Sequence, residues 1–172
     1  MAVRIAWFKV HYPHWYYISY FSLRCDAYEI ETMTKGINAI KSRLEEIRNR
    51  RNNPETAKQV TNRELATYGV LEVCLELYAR GYKIGKIDLY KSLATEFTVE
   101  KDDHRIIIPP FTTIDGLGEN VAKSIVEARE KGPFLSKEDL TSRTQCSLTL
   151  LRKLEVLGAI DGLQEKNQMS LF

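Results

Sequence analysis

The apolar positions change rhythm along the chain, and each rhythm predicts an element. Residues 1–23 are dense in aromatics, among them Trp7, Phe8, Tyr12, Trp15, Tyr16, Tyr17, Tyr20 and Phe21. Pro13 divides them into two short helical pieces, because proline removes a backbone donor and fits only the first turn of a helix. The second piece, Trp15 to Leu23, is apolar nearly all round, which predicts burial between other elements. Core packing is the favoured use of these rings over base stacking. Met1 is followed at once by Ala2-Val3-Arg4-Ile5-Ala6-Trp7, a start without a polar lead-in. It reads as the middle of a helix, so the chain is expected to be the C-terminal part of something longer.

Residues 33–50 follow the helical period, with Ile37, Ile40, Leu44 and Ile47 on one stripe. The basic end, Arg48, Arg50 and Arg51, suits the negative pole of the helix dipole and reads as solvated. Asn52-Asn53-Pro54 breaks the helix. Thr61 followed by Glu64 is a capping-box signature. The helix it opens carries Leu65, Val70, Leu71, Cys74, Leu75 and Tyr78 and stops at Gly81. Lys83 to Ser92 reads as a connector. Phe97–Glu100 and Arg105–Ile108, around Asp102-Asp103, predict a β-hairpin. Pro109-Pro110 ends it and marks the best domain boundary.

Beyond the prolines lies a compact helical unit. Asn120 to Lys131 is a helix with Val121, Ala122, Ile125 and Ala128 on one face. Ser136 with Asp139 opens a third short helix, and Ser147 opens a fourth, with Leu148, Leu151, Leu154 and Leu157 inside and Gly158 at its end. The stretch Ile114-Asp115-Gly116-Leu117-Gly118-Glu119-Asn120 has the form of the sharp turn and second-helix start of a helix-hairpin-helix. Two glycines around one apolar residue permit a tight turn and close backbone approach. A helix that opens directly after them presents unpaired N–H groups and its positive pole, a setting for a phosphate. An ordinary glycine-rich loop fits the same residues. Lys123, Arg129 and Lys131 are either backbone-contacting cations or solvated charges. The Ser147 segment lacks a Gly-x-Gly turn and is the weaker phosphate site, with Arg152 and Lys153 as its cations.

The totals narrow the field. A chain of 172 residues suffices for one ordinary domain or two small ones, and 44% hydrophobic with 28% charged residues is a globular composition. A net charge of +2 does not by itself argue for nucleic acid. Cys25, Cys74 and Cys146 lack metal-ligand spacing and read as reduced thiols. His11, His14 and His104 have no ligating neighbours at such spacing. No stretch has the length of a membrane span, and no signal peptide is visible. No carboxylate constellation for two metals, nucleophile–base pair or phosphate loop emerges, so no catalytic residue is assigned. The end, Gln168-Met169-Ser170-Leu171-Phe172, has the form of a linear peptide that docks extended into a groove, with folding back onto the bundle as the alternative.

Five stretches together resemble one family: Ala6-Trp7-Phe8-Lys9-Val10-His11-Tyr12-Pro13; Asp88-Leu89-Tyr90-Lys91-Ser92 with Ala94-Thr95-Glu96-Phe97; Ile108-Pro109-Pro110-Phe111 leading to Gly116-Leu117-Gly118-Glu119-Asn120; Gly132-Pro133-Phe134-Leu135-Ser136-Lys137-Glu138-Asp139-Leu140; and Asn167 to Phe172. They span essentially the whole chain and resemble the C-terminal end of the PolC-type DNA polymerase III alpha subunit, the replicative polymerase of low-GC Gram-positive bacteria. The expected fold is mainly α with a small β-hairpin. The resemblance implies that residues 1–108 are the end of the fingers region and its connector. It implies that residues 109–163 are a helix-hairpin-helix unit holding duplex DNA behind the active site, and that 164–172 are a tail with a sliding-clamp-binding peptide. DNA-binding residues would be Gly116, Leu117, Gly118, Glu119, Asn120 and Lys123; clamp-binding residues would be Gln168, Met169, Leu171 and Phe172. Met169 stands where the family commonly has leucine. Implied partners are primer-template DNA, the clamp (beta subunit) and the remainder of the polymerase chain, in the cytoplasm and without a membrane. The parent is a DNA-directed DNA polymerase using Mg2+. Its catalytic aspartates lie outside this sequence, which implies no cofactor here and no stand-alone polymerase activity. The alternative is a stand-alone non-catalytic module that binds DNA and the clamp.

Overall fold

The computed structural model describes residues 2–25 and 27–166. The chain folds as two units, one of Met1–Gly85 with Phe97–Ile108, the other of Lys86–Glu96 with Pro109–Phe172. The break after Ile108 falls at the Pro-Pro step, and residues 86–96, read from the sequence as part of the first region, pack with the second unit.

The first unit holds α1 (Ala2–His11), α2 (Pro13–Arg24), α3 (Ile30–Thr34), α4 (Ile37–Asn52) and α5 (Asn62–Ala79). Pro13 opens α2 as its first residue, as the missing N–H requires. Only Tyr17 and Phe21 of α2 are buried, and Trp15 and Leu23 are 50% and 81% exposed. The expected burial all round is therefore corrected to one face, because the described residues cover only that side. Phe21 packs beside Phe97, ring centroids 5.3 Å apart. α1 buries no residue; Lys9 joins it to Glu76 of α5 at 2.5 Å.

The predicted helix over 33–50 is two helices. Gly36 between them sits at φ +95°, a left-handed conformation that ends α3 and re-aims the chain. Ile40, Leu44 and Ile47 form the buried stripe of α4. Its basic end is not simply solvated, since Arg50 pairs with Glu64 of α5 at 2.5 Å. Thr61 and Glu64 form the predicted capping box in both directions. That backbone bond to Thr61, together with Arg50, holds the Glu64 carboxyl below its ordinary range. Leu65 lies outside the α5 core, whereas Val70, Leu71, Cys74 and Leu77 fill it. Burial raises the Cys74 thiol to about 12.

The sheet has three strands, β1 (Lys83–Ile84), β2 (Thr98–Val99) and β3 (Ile106–Ile108), in the order β1-β3-β2. β2 and β3 form the predicted hairpin, with Val99 opposite Ile107. β1 runs parallel to β3, with Ile84 opposite Ile107. A two-residue strand inside what reads as a connector has too little periodicity to be seen in the sequence.

The second unit holds a single 3-10 turn at Phe111–Thr113, then α6 (Glu119–Glu130), α7 (Lys137–Arg143) and α8 (Leu148–Val156). Ala122, Ile125 and Ala128 bury one face of α6. In α8, Leu150, Leu151 and Leu154 are buried. Leu148, expected inside, is 70% exposed, because the first helical residue lies at the open end of the helix and Leu150 takes its place. Arg129 draws 86–96 onto α6 by donating to the carbonyls of Leu89 and Ser92 at 2.9 and 2.6 Å. Arg143 is the other internal tie. It donates to Pro133 O at 3.0 Å, Gly132 O at 3.0 Å and Ala128 O, pairs with Asp139 at 3.1 Å, and stacks over the Phe134 ring. Among the described residues no helix is long and apolar enough to cross a membrane.

Candidate nucleic-acid interface

Two buried side chains fix the glycine turn. Ile114 and Leu117 are 2% and 3% exposed, and the Leu117 amide closes the turn on Ile114 O at 3.0 Å. Between them Gly116 takes φ +81°, where a Cβ would cost about 1–2 kcal/mol. Leu117 therefore acts as an anchor, with neither its side chain nor its amide turned over to a ligand. Asp115, Gly116, Gly118, Glu119 and Asn120 lie on the surface.

Gly118 then opens α6 with φ −74° and ψ 164° and has no side-chain cap to offer. The first intrahelical donor is the Ala122 amide, bonded to Gly118 O at 3.0 Å. The amides of Glu119, Asn120 and Val121 precede it, at the positive pole of the helix. The other two helix starts of this unit are closed. Ser136 Oγ accepts the Asp139 amide at 3.0 Å and Ser147 Oγ accepts the Leu150 amide at 3.3 Å. Gln145, just before α8, donates its amide to Ser124 Oγ of α6 at 3.1 Å, which joins the two hairpins.

The cations separate by what already holds them. Lys123 pairs with Glu119 one turn earlier at 2.6 Å. That hydrogen bond and charge raise the Lys123 pKa, and they set a carboxylate beside the helix start. Arg129 is engaged with Leu89 and Ser92 carbonyls, and burial lowers its pKa. Lys131 is exposed at the end of α6. Lys153, which the sequence placed with the weaker hairpin, instead reaches the glycine turn. Its Nζ donates to Asp115 O at 2.6 Å and lies 3.7 Å from the Asp115 carboxylate. A partner 38 residues away leaves no local sequence signal. The proposed clamp residues Gln168, Met169, Leu171 and Phe172 lie outside the described residues. The last described segment runs beside α7, with the Lys137 amide bonded to Gln164 O at 2.8 Å.

An anchored glycine turn followed by an uncapped helix, tied to the start of α8 through Gln145 and Ser124, has the form expected of a helix-hairpin-helix. A family described as the helix-hairpin-helix motif matches residues 81–169, just over half of the chain. The chain belongs to the helix-hairpin-helix family. The match takes in the Gly116 turn and all of α6, α7 and α8. Among individual relatives, the DNA polymerase III PolC-type of Streptococcus pneumoniae (serotype 2, strain D39) is 49% identical over all 172 residues. The corresponding proteins of Streptococcus sanguinis and Streptococcus thermophilus (strain LMD-9) are 48% and 47% identical over the same length. In each case this chain spans 11% of the relative. The resemblance drawn from five short stretches thus extends to the full chain, and the described residues have the mainly α fold with a small sheet.

Proposed function

We propose that this chain is the C-terminal part of a bacterial replicative DNA polymerase of the PolC type, where it grips duplex DNA and attaches the enzyme to its sliding clamp. The observation that carries the reading is the open start of α6 within a matched helix-hairpin-helix. Gly116 and Gly118 admit a phosphate to the backbone, and the amides of the first helical turn donate to it. Such contacts hold the sugar-phosphate backbone and do not read bases. Glu119 and Asn120 contribute through their amides, and Lys123 contributes charge only after release from Glu119. Similarity along the whole chain to PolC-type relatives supports the polymerase reading over that of a separate DNA- and clamp-binding module.

Residues 1–108 would form the end of the fingers region and its connector. The apolar outer face of α1, with Val3 and Trp7 at 82% and 55% exposure, suits burial against the remainder of the polymerase chain. Gln168, Met169, Leu171 and Phe172 would enter the clamp groove as an extended peptide. Replication in bacteria places this activity in the cytoplasm. Mg2+ for DNA synthesis would be held by the catalytic aspartates of the parent polymerase, which the family resemblance puts outside these residues. Nucleotide chemistry is accordingly assigned to the rest of the parent chain.

Fluorescence anisotropy of the 172-residue chain with a labelled DNA duplex tests the grip. Affinity should be indifferent to sequence and fall steeply as salt rises. Gly116→Val should weaken it about tenfold by distorting the turn, while amide exchange in α4 and α5 stays unchanged. Salt-independent binding, or full affinity in Gly116→Val, overturns the phosphate mechanism. For the tail, deletion of residues 168–172 should abolish capture on immobilised sliding clamp while duplex affinity is retained; undiminished capture refutes the clamp assignment.

A further inference from the structure

The cation that completes the hairpin comes from the other helical hairpin. We infer that Lys153 of α8 is a phosphate-binding residue of the Gly116 turn, and that Asp115 holds its charge until the duplex arrives. This deepens the duplex-binding reading and rests on it.

The observations concern a side chain far from the turn in sequence. Lys153 Nζ bonds to Asp115 O at 2.6 Å, across 38 residues. It stands 3.7 Å from where a Cβ on Gly116 would lie. Its side chain is 40% exposed, so an ion in solvent can meet it. An ammonium carries three donors. The Asp115 carbonyl takes one, and the Asp115 carboxylate at 3.7 Å is beyond hydrogen-bond distance, so the ammonium keeps capacity for a further acceptor. Holding a lysine in one rotamer costs side-chain entropy, and here that cost places a positive charge beside the turn before any ligand binds.

Lys123 is the obvious candidate in sequence because it lies on α6 itself. Its ammonium is hydrogen-bonded to Glu119 at 2.6 Å, so its charge is already matched by a carboxylate in contact, and an arriving phosphate meets that carboxylate as a like charge. Among the described residues the carboxylate paired with Lys153 is that of Asp115, 3.7 Å away and beyond hydrogen-bond distance. A phosphate at the turn would replace the more distant Asp115 carboxylate as its counter-charge while the carbonyl bond is kept. The first hairpin would supply the backbone donors and the second the charge, which gives the packing of α8 on the turn a role in binding.

Duplex titrations by anisotropy over a range of salt concentrations test this with the full chain. Lys153→Gln should weaken binding about fivefold at low salt and reduce the slope of log affinity against log salt by about 1. Lys153→Arg should restore the slope, which a purely structural bond to Asp115 O would not require. Asp115→Asn, with Lys153 intact, should raise affinity about twofold by removing the competing charge. Lys123→Gln should change the slope by less than half as much as Lys153→Gln. A wild-type chain that fails to bind duplex overturns both this inference and the proposed function. Wild-type binding that is weakened by Gly116→Val, with an unchanged slope in Lys153→Gln, overturns the role of Lys153 alone.

Discussion

The starts of α6 and α8 have almost the same backbone and opposite chemistry. Gly118 precedes α6 at φ −74° and ψ 164°, and Ser147 precedes α8 at φ −75° and ψ 161°. Ser147 turns its hydroxyl onto the Leu150 amide, which satisfies a donor internally and stabilises the helix. Gly118 has no such group, so α6 leaves its first amides for something else. The backbone conformation at Gly118 does not demand glycine, and a Cβ there would meet nothing within 4 Å. What glycine provides at this position is the absence of a competing acceptor. The difference teaches that helix starts within one small unit can be assigned different tasks without any change of backbone. Serine closes a start for stability, and glycine leaves one without a side-chain cap.

The largest expected effect breaks the frame that makes the two starts comparable. Arg143→Ala removes hydrogen bonds to the carbonyl of Ala128 in α6 and those of Gly132 and Pro133 between α6 and α7, the ion pair with Asp139 and the stacking on Phe134. A loss of about 2–4 kcal/mol is expected, read as lost amide-exchange protection in α6 and α7 with the β2–β3 pairing unaffected. Equal protection in the variant would show that core packing alone holds these helices.

A finer test exchanges the two caps. Gly118→Ser should let the hydroxyl occupy the α6 amides as Ser147 does in α8. Stability then rises by a few tenths of a kcal/mol while duplex affinity falls about tenfold. A chain that gains stability without losing affinity would show that the open amides do not hold phosphate. The smallest effect belongs to Ser147→Gly, which should cost a few tenths of a kcal/mol and leave duplex affinity within about twofold. A marked gain in affinity would instead identify α8 as a second phosphate site suppressed by its own cap.

The sequence made the caps legible because capping is local. Thr61 with Glu64, Ser136 with Asp139, and Ser147 each sit within one turn of the amides they affect, and all are observed to cap. The stripe Ile40, Leu44 and Ile47 was legible for a similar reason, since a single helix carries its own period. Misreadings arose where the deciding partner is distant. The aromatic run of α2 suggested burial all round, but which face is covered depends on what packs there. Arg50 read as a solvated end because Glu64, its partner, belongs to another helix. β1 was invisible because two residues show no period until β3 lies beside them.

The glycine turn shows the same division within one site. Sequence by itself determined the mainly α fold class, the capped helices, the Gly-Leu-Gly turn and the family, because each of these rests on local spacing, residue type or short matching stretches, whereas burial turned Leu117, read as a DNA-binding residue, into the anchor of that turn. Only the tertiary structure decided which charges attend the turn. Lys123 is beside it in sequence and is held by Glu119, Arg129 is committed to the carbonyls of Leu89 and Ser92, and Lys153 crosses from α8 to reach Asp115. Electrostatic partnership follows distance in space, and for a long, flexible cation that distance is set by how the helices pack and not by its place along the chain.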